Sequence, residues 1–187
     1  MHRLIPRLFL ATILTICSVF LLACGTSTAN PSQPAAETQT ITNTEAAQEK
    51  KALVVYFSHS GKTQTVAQQI ARHLHSDTLR IEASEPYSQV YRETTQRAQR
   101  ELDTDAYPPI KSVTTKIADY DVIFVGYPIW GGRAPRPVMT FLASQDFTGK
   151  TVITFCTSGG SPLSGSISEL KAQIPNANVI EGIRAYP

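Results

Sequence analysis

The residues Tyr56-Phe57-Ser58-His59-Ser60-Gly61-Lys62-Thr63 put three hydroxyls, an imidazole, an amine and a glycine between an apolar run and a helical pattern. Hydroxyls and backbone N–H groups that converge at a helix N-terminus can hold a phosphate without any basic side chain. The last three residues, G-K-T, look like the end of the P-loop of nucleoside triphosphatases. That loop needs a glycine five positions before the glycine of G-K-[ST], and Tyr56 stands there. A magnesium-holding aspartate at the end of a later apolar strand is also missing, because Asp119 precedes its strand and Asp121 stands at the beginning of it. Both points argue against ATP hydrolysis. Two readings are left for Ser58, His59, Ser60, Gly61, Lys62 and Thr63: a site for some other phosphate, or an ordinary capped turn.

Two further stretches have unusual chemistry. Tyr127-Pro128-Ile129-Trp130-Gly131-Gly132-Arg133-Ala134-Pro135 contains the single tryptophan of the chain. It sits among Pro and Gly, where a loop can present a flat ring to a flat ligand. Thr157-Ser158-Gly159-Gly160-Ser161-Pro162 is small and polar, so its backbone can approach a ligand edge closely.

The elements that must position these loops alternate. Ala52–Phe57 (ALVVYF), Asp121–Tyr127 (DVIFVGY) and Thr151–Thr157 (TVITFCT) are short apolar runs, as expected of strands buried on both faces. Thr78–Glu82 is more polar, as an edge strand would be, and Asn178–Gly182 is a short last strand. Val66, Ile70 and Leu74 mark one face of a first helix. Val90, Thr94, Ala98 and Leu102 mark a second, from about Ser88 to Leu102. Pro137, Val138, Phe141 and Leu142 indicate a third, and Ile167, Leu170 and Ile174 a fourth that stops at Pro175. This alternation implies an α/β fold with a parallel sheet and helices on both faces. In such sheets ligands bind at the carboxyl ends of the strands, and all three loops lie there.

A phosphate cradle, an aromatic plate and a backbone-rich loop suit a flat, monophosphorylated cofactor. At this point the chain resembles the flavodoxins, which bind FMN. The first loop is similar to their [ST]-x-[ST]-G-x-[ST] phosphate loop. VGYPIWGGRAP and FTGKTVITFCTSGGS resemble the two isoalloxazine loops of a bacterial subgroup with NAD(P)H-linked relatives. The likeness runs from about Ala52 to Ile183. It implies a flavodoxin-like doubly wound sheet of five parallel strands in the order 2-1-3-4-5. It also implies that Ser58, Ser60 and Thr63 bond the phosphate through hydroxyls, and Gly61 and Lys62 through backbone N–H. Trp130 would stack on or flank the flavin. Tyr127, Pro128, Ile129, Gly131 and Gly132 would complete that loop, with a peptide near Gly131–Gly132 able to flip beside the flavin. Thr157, Ser158, Gly159 and Gly160 would contact the pyrimidine end. Tyr87 and Tyr91 could reach the site or simply pack.

The chain departs from the pattern in two places. The subgroup often has a second tryptophan where Gly131 stands. The fold also normally closes with a fifth helix after the last strand, and Pro187 comes too soon for one. The expected result is a sheet face on which apolar side chains of ALVVYF and NVIEG are exposed, open to self-association, or else a truncated product. A further expectation concerns charge. Flavodoxins surround the flavin with acids, whereas the loop after Trp130 carries Arg133 and Arg136 and no acid. Exposed, these cations would stabilise the reduced, anionic flavin and raise its potential.

The N-terminal segment changes the setting. Arg3 and Arg7 precede an apolar run from Leu8 to Leu22, of signal-peptide length and short for a membrane span. Leu21-Leu22-Ala23-Cys24 resembles a bacterial lipobox, which implies cleavage after residue 23 and lipidation of Cys24. The alternative is a short uncleaved anchor. Residues 24–51 are rich in Ser, Thr, Ala, Gln and Pro and read as a disordered tether, with an end-to-end distance of roughly 30 Å. The domain then occupies 52–187. Without Arg3 and Arg7 the 17 basic and 15 acidic residues become 15 and 15, so nothing suggests a nucleic-acid partner. Of the three cysteines, Cys17 leaves with the signal and Cys24 carries lipid. Cys156 is then unpaired, in a buried strand.

Three functions follow as expectations. The first is an FMN-binding electron carrier outside the cytoplasm, anchored by lipid to the cell membrane or outer membrane, serving redox partner proteins or a small acceptor. The second is an FMN-dependent NAD(P)H:acceptor (quinone) oxidoreductase. The third is a flavin-free lipoprotein that binds a partner or ligand.

Overall fold

The computed structural model describes residues 50–186. The expected signal segment, Cys24 and the tether up to residue 49 lie outside the described residues.

Five strands form one parallel sheet: β1 (Ala52–Phe57), β2 (Asp77–Ile81), β3 (Val122–Pro128), β4 (Thr151–Thr157) and β5 (Asn178–Ala185), in the order β2-β1-β3-β4-β5. Four α-helices alternate with them: α1 (Lys62–Leu74), α2 (Tyr91–Asp103), α3 (Arg136–Ser144) and α4 (Ser164–Gln173). The expected strand order is the observed one. The central strands β1, β3 and β4 are the apolar runs, because a strand with helices on both faces has no side that can be polar.

The larger core lies on one face. Val138, Met139, Phe141 and Leu142 of α3 and Ile167 and Leu170 of α4 pack there on Leu53, Val55, Ile123, Val125, Val152 and Cys156. Cys156 is fully buried, and burial pushes its thiol up to about 11, so it stays protonated at neutral pH. The buried strand thiol expected there is what the fold contains. On the other face Ala67 and Ala71 of α1 seat against Val54, Tyr56 and Phe155, with Val66 and Ile70 at the margin and Leu74 exposed. The helix therefore buries its small residues, one position around from the face that Val66, Ile70 and Leu74 suggested. A parallel sheet accepts a close helix where the side chains between them are small.

The expectation of an uncovered sheet face is half corrected. Val54 and Tyr56 of β1 are buried under α1. The exposed apolar residues belong to β5, where Ile180 and Ile183 pair in register with Ile153 and Phe155.

Candidate functional site

The first loop ends in α1. Gly61 takes φ +86°, a left-handed conformation that other residues rarely adopt, and turns the chain into the helix. The first helical bond is Thr65 N–H to Gly61 C=O at 3.0 Å, and no side chain caps the helix. The preceding N–H groups have no intrahelical acceptor, and the positive end of the helix dipole stands with them. Ser58 is 5 % exposed, and its Oγ is buried without a hydrogen-bond partner. An orphaned buried hydroxyl is costly unless a ligand satisfies it. Arg80 of β2 donates to the Ser58 carbonyl at 3.2 Å, which fixes the loop from behind. Thr63 is buried, and its hydroxyl shares a 2.9 Å hydrogen bond with that of Thr157, joining the first loop to the third. Ser60 and Lys62 are exposed, and His59 is half-buried.

The second loop is a tight hairpin. Trp130 and Arg133 exchange both backbone hydrogen bonds at 3.0 Å, with Gly131 at φ +55° and Gly132 at φ +80° between them. Two positive φ values in a two-residue turn define type I′, which explains the glycine pair. The hairpin sits between two helices. A Cβ on Gly131 would lie 3.1 Å from the Leu102 side chain of α2, and one on Gly165 of α4 would lie 3.0 Å from the Gly132 carbonyl.

Arg133 and Arg136 lock this position, and their role is not the one expected from sequence. Arg133 pairs with both oxygens of Glu169 on α4, at 2.6 and 3.2 Å. Arg136 is 1 % exposed and donates to Glu169 at 2.8 Å, to Asp105 at 2.7 Å and to the Ala106 carbonyl at 2.8 Å. Neither guanidinium is an unpaired, exposed cation, so the expected rise in flavin potential loses its basis. The acids come from α4 and from the turn after α2, distant in sequence, and a local reading of the loop could not see them.

Trp130 is held edge-on by three rings, with centroids at 5.0 Å for Tyr87, 5.4 Å for Phe57 and 6.0 Å for His59. Tyr87 is fixed in turn. Its hydroxyl donates to buried Glu101 at 2.5 Å, and Arg97 lies 4.1 Å over its ring while donating to Glu101 at 2.8 Å. Burial, with the Glu101 hydrogen bond second, pushes the Tyr87 phenol well above its ordinary range. Tyr87 is therefore a buttress of the tryptophan, one step behind the cavity.

A cavity of about 680 Å³ opens between these pieces. That is within the usual size of small-molecule sites. His59, Ser60, Lys62 and Thr63 line it from the first loop, and Pro128, Ile129, Trp130 and Gly131 from the second. Its far wall is α2, which supplies Tyr91, Thr94, Thr95, Ala98, Gln99 and Leu102. A smaller depression of about 160 Å³, beside Gln145, Asp146 and Asn176, lies away from all three loops.

The structure brings two of the three loops to the cavity. The third does not line it. Its Ser158 N–H bonds to Ala185, its Gly160 N–H to Ser158 Oγ, and its Gly160 and Ser161 carbonyls accept from Arg184 of β5. Gly159 and Gly160 are exposed, and Thr157 and Ser158 are buried. Tyr127 is fully buried in the core, its hydroxyl 2.8 Å from that of Ser166, so only its backbone stands at the strand end. Ser58, Gly61 and Gly132 are also off the cavity wall; Ser58 borders instead a depression of about 150 Å³ shared with Arg80 and Tyr87.

The α2 wall was missed in the sequence, although its signal was present. Val90, Thr94, Ala98 and Leu102 mark one side of a helix in the sequence, with no ligand-facing role attached. Thr94, Ala98 and Leu102 of that side border the cavity.

A family model described as flavodoxin matches residues 51–184. The chain belongs to the flavodoxin family. Among solved structures it resembles a candidate flavoprotein from Bacteroides eggerthii, at 37 % identity and a TM-score of 0.67, over 72 % of this chain and 87 % of that one. A flavoprotein of Lactobacillus acidophilus in complex with FMN is 27 % identical, with a TM-score of 0.65 over 72 % of this chain and 93 % of that one. A curated relative, an NAD(P)H dehydrogenase (quinone) of Acidovorax ebreus, is 34 % identical over 92 residues, which is 49 % of this chain and 44 % of the relative. The chain thus spans less than half the length of that relative. The flavodoxin likeness expected from the three loops is established by the family match and the sheet order together.

Proposed function

We propose that this flavodoxin-family chain binds FMN in the cavity and carries single electrons as a lipoprotein anchored outside the cytoplasm. The observation that carries the FMN reading is a cavity that joins Ser60, Lys62 and Thr63 at the uncapped start of α1 to Trp130 on the second loop. The Lactobacillus acidophilus relative, solved with FMN, supports it. Ser58, Ser60 and the N–H groups opening α1 would hold the phosphate, with Gly61 shaping the turn. Trp130 would present its ring to the flavin, and Pro128 and Ile129 would exclude water from that side. When bound, FMN supplies one- and two-electron redox chemistry. The protein's part is to hold the ring in a fixed, partly dry place, and the Tyr87–Glu101–Arg97 unit does this through Trp130.

Anchoring rests on the sequence alone: Arg3, Arg7, the Leu8–Leu22 run and Cys24. A second reading, an FMN-dependent NAD(P)H:quinone oxidoreductase, is favoured by the name of the Acidovorax relative. One preparation tests both points. Grown with labelled palmitate, the full chain is expected to carry the label and the Cys24→Ser variant to lack it, and the FMN-loaded protein is expected to leave NADH and NADPH unoxidised in the presence of a quinone. Steady NAD(P)H oxidation would assign it as the reductase, and a full chain without label would remove the lipid anchor.

A further inference from the structure

We infer that the depression between the last turns of α1 and the edge strand β2 is a second binding site, which takes the phosphate group of a small ester. It stands apart from the cavity described above and does not rest on the FMN reading.

The depression has a volume of about 590 Å³ and is lined by Gln68, Ala71, Arg72, His75, Ser76 and Thr78. None of these residues belongs to the three loops. The larger cavity opens at the carboxyl ends of the strands and this depression at the start of β2, so a ligand in one leaves the other free.

Local structure gathers the polar groups there. Gln68, Arg72 and His75 follow one another at i, i+4 and i+7, on one side of α1 and its cap, with buried Ala71 beneath them. His75 ends the helix at φ 49°, and the His75 and Ser76 N–H groups both bond to the Ala71 carbonyl, Ser76 at 3.0 Å. The chain then enters β2. Thr78 pairs with Val54, which is buried under α1, so Thr78 faces the helix.

The wall has the chemistry of an anion site. A guanidinium, an imidazole, an amide and two hydroxyls can all donate into it, and no acid lines it. Asp77, between Ser76 and Thr78, is engaged elsewhere, since its carboxylate accepts the Tyr120 hydroxyl at 2.8 Å. Among the described residues Arg72 belongs to no ion pair. Ser76 Oγ is buried without a hydrogen-bond partner. A hydroxyl in that state is costly unless a ligand satisfies it.

The negative end of the α1 dipole favours a cation here, so the helix itself does not attract an anion. Arg72 and His75 must supply the attraction. A phosphate matches the layout of the donors. Its tetrahedral oxygens can accept from Gln68, Arg72 and His75 on the helix side and from Ser76 and Thr78 on the strand side at once, whereas a carboxylate offers two oxygens in one plane. The volume is in the range of small-molecule sites and leaves room for the organic part of an ester. A soluble phosphate monoester and the phosphodiester of a lipid headgroup share this chemistry.

The test follows the ring resonances of His75 by NMR, assigned with His75→Asn, in the full chain held in detergent at fixed pH. Glycerol phosphate and glycerophosphoglycerol, the diester headgroup of phosphatidylglycerol, are the two probes, and sodium chloride at equal ionic strength is the reference. The signal is local to His75, so phosphate held by the first loop does not move it. Saturable displacement by at least one ester is expected, with binding about tenfold weaker in Arg72→Gln, which removes the charge-assisted bond. Ser76→Ala should bind about threefold more weakly and keep or raise the melting temperature, because the hydroxyl it removes has no partner in the protein. Tighter binding of the diester assigns the site to a lipid headgroup, and tighter binding of the monoester to a soluble phosphate compound. Displacement no larger than with sodium chloride, or equal displacement in Arg72→Gln and the wild type, overturns the inference.

Discussion

Replacing Ser60 by Asp is expected to weaken FMN binding at least a hundredfold while leaving the fold intact. Ser60 lines the cavity next to Gly61 and the start of α1. A carboxylate there would face the phosphate. Two unit charges about 4 Å apart repel by roughly 4 kcal/mol at an effective dielectric of 20, and the open position lets solvent screen part of this. The same carboxylate stands at the positive end of the α1 dipole, where it stabilises the helix by about 0.5 kcal/mol. The two effects have opposite signs, so binding and stability separate: affinity falls while the melting temperature holds or rises slightly. Flavin fluorescence titration beside a thermal melt reads both. Unchanged affinity would remove the phosphate from this loop.

Glu169→Gln is expected to cost about 3 kcal/mol of stability and to loosen the tryptophan hairpin. Its carboxylate is the shared acceptor of Arg133 and Arg136, and Arg136 is 1 % exposed. Without the charge, two guanidinium groups stay close together and the buried one keeps Asp105, itself mostly exposed, the Ala106 carbonyl and the face of the Tyr107 ring. Breaking a buried pair from one side typically costs about 3–5 kcal/mol, and the surviving acceptors put this case at the low end. For a domain of this size that lowers the melting temperature by roughly 10 °C. The hairpin also loses its tie to α4, so emission from Trp130, the single tryptophan, should report a more mobile ring. The double variant Glu169→Met/Arg136→Met should recover part of the loss, because no buried charge is then left unpaired. A melting temperature equal to the wild type in Glu169→Gln would show that Arg136 needs no anionic partner from α4.

Much of this molecule is legible in its sequence, for identifiable physical reasons. The apolar runs ALVVYF and TVITFCT are strands at the expected residues, because a strand covered on both faces leaves an unbroken apolar signal. The first loop is legible because a strand, hydroxyls, a glycine and a helix follow one another without a gap. The Gly131–Gly132 turn is legible for a similar reason. What escaped the sequence depends on contacts between distant segments. Glu169 lies 36 residues from Arg133, so the arginine loop read as unpaired. Arg184, on β5, holds the third loop away from the cavity. The packing of Ala67 and Ala71 under β1 was hidden by the larger Val66 and Ile70, which dominate any hydrophobic pattern yet end at the margin. The α2 wall escaped because a face that borders a ligand and a face that borders a core repeat with the same helical period.

The central claim, a phosphate-anchored FMN site, is tested most directly by titrating the flavin-free chain with FMN and, in parallel, with riboflavin, which has the same ring and no phosphate. Trp130 fluorescence is the signal, since the chain has one tryptophan and it lines the site. The account predicts saturable quenching at one FMN per chain and much weaker binding of riboflavin. Equal affinity for the two, or no saturable quenching by FMN, would contradict it.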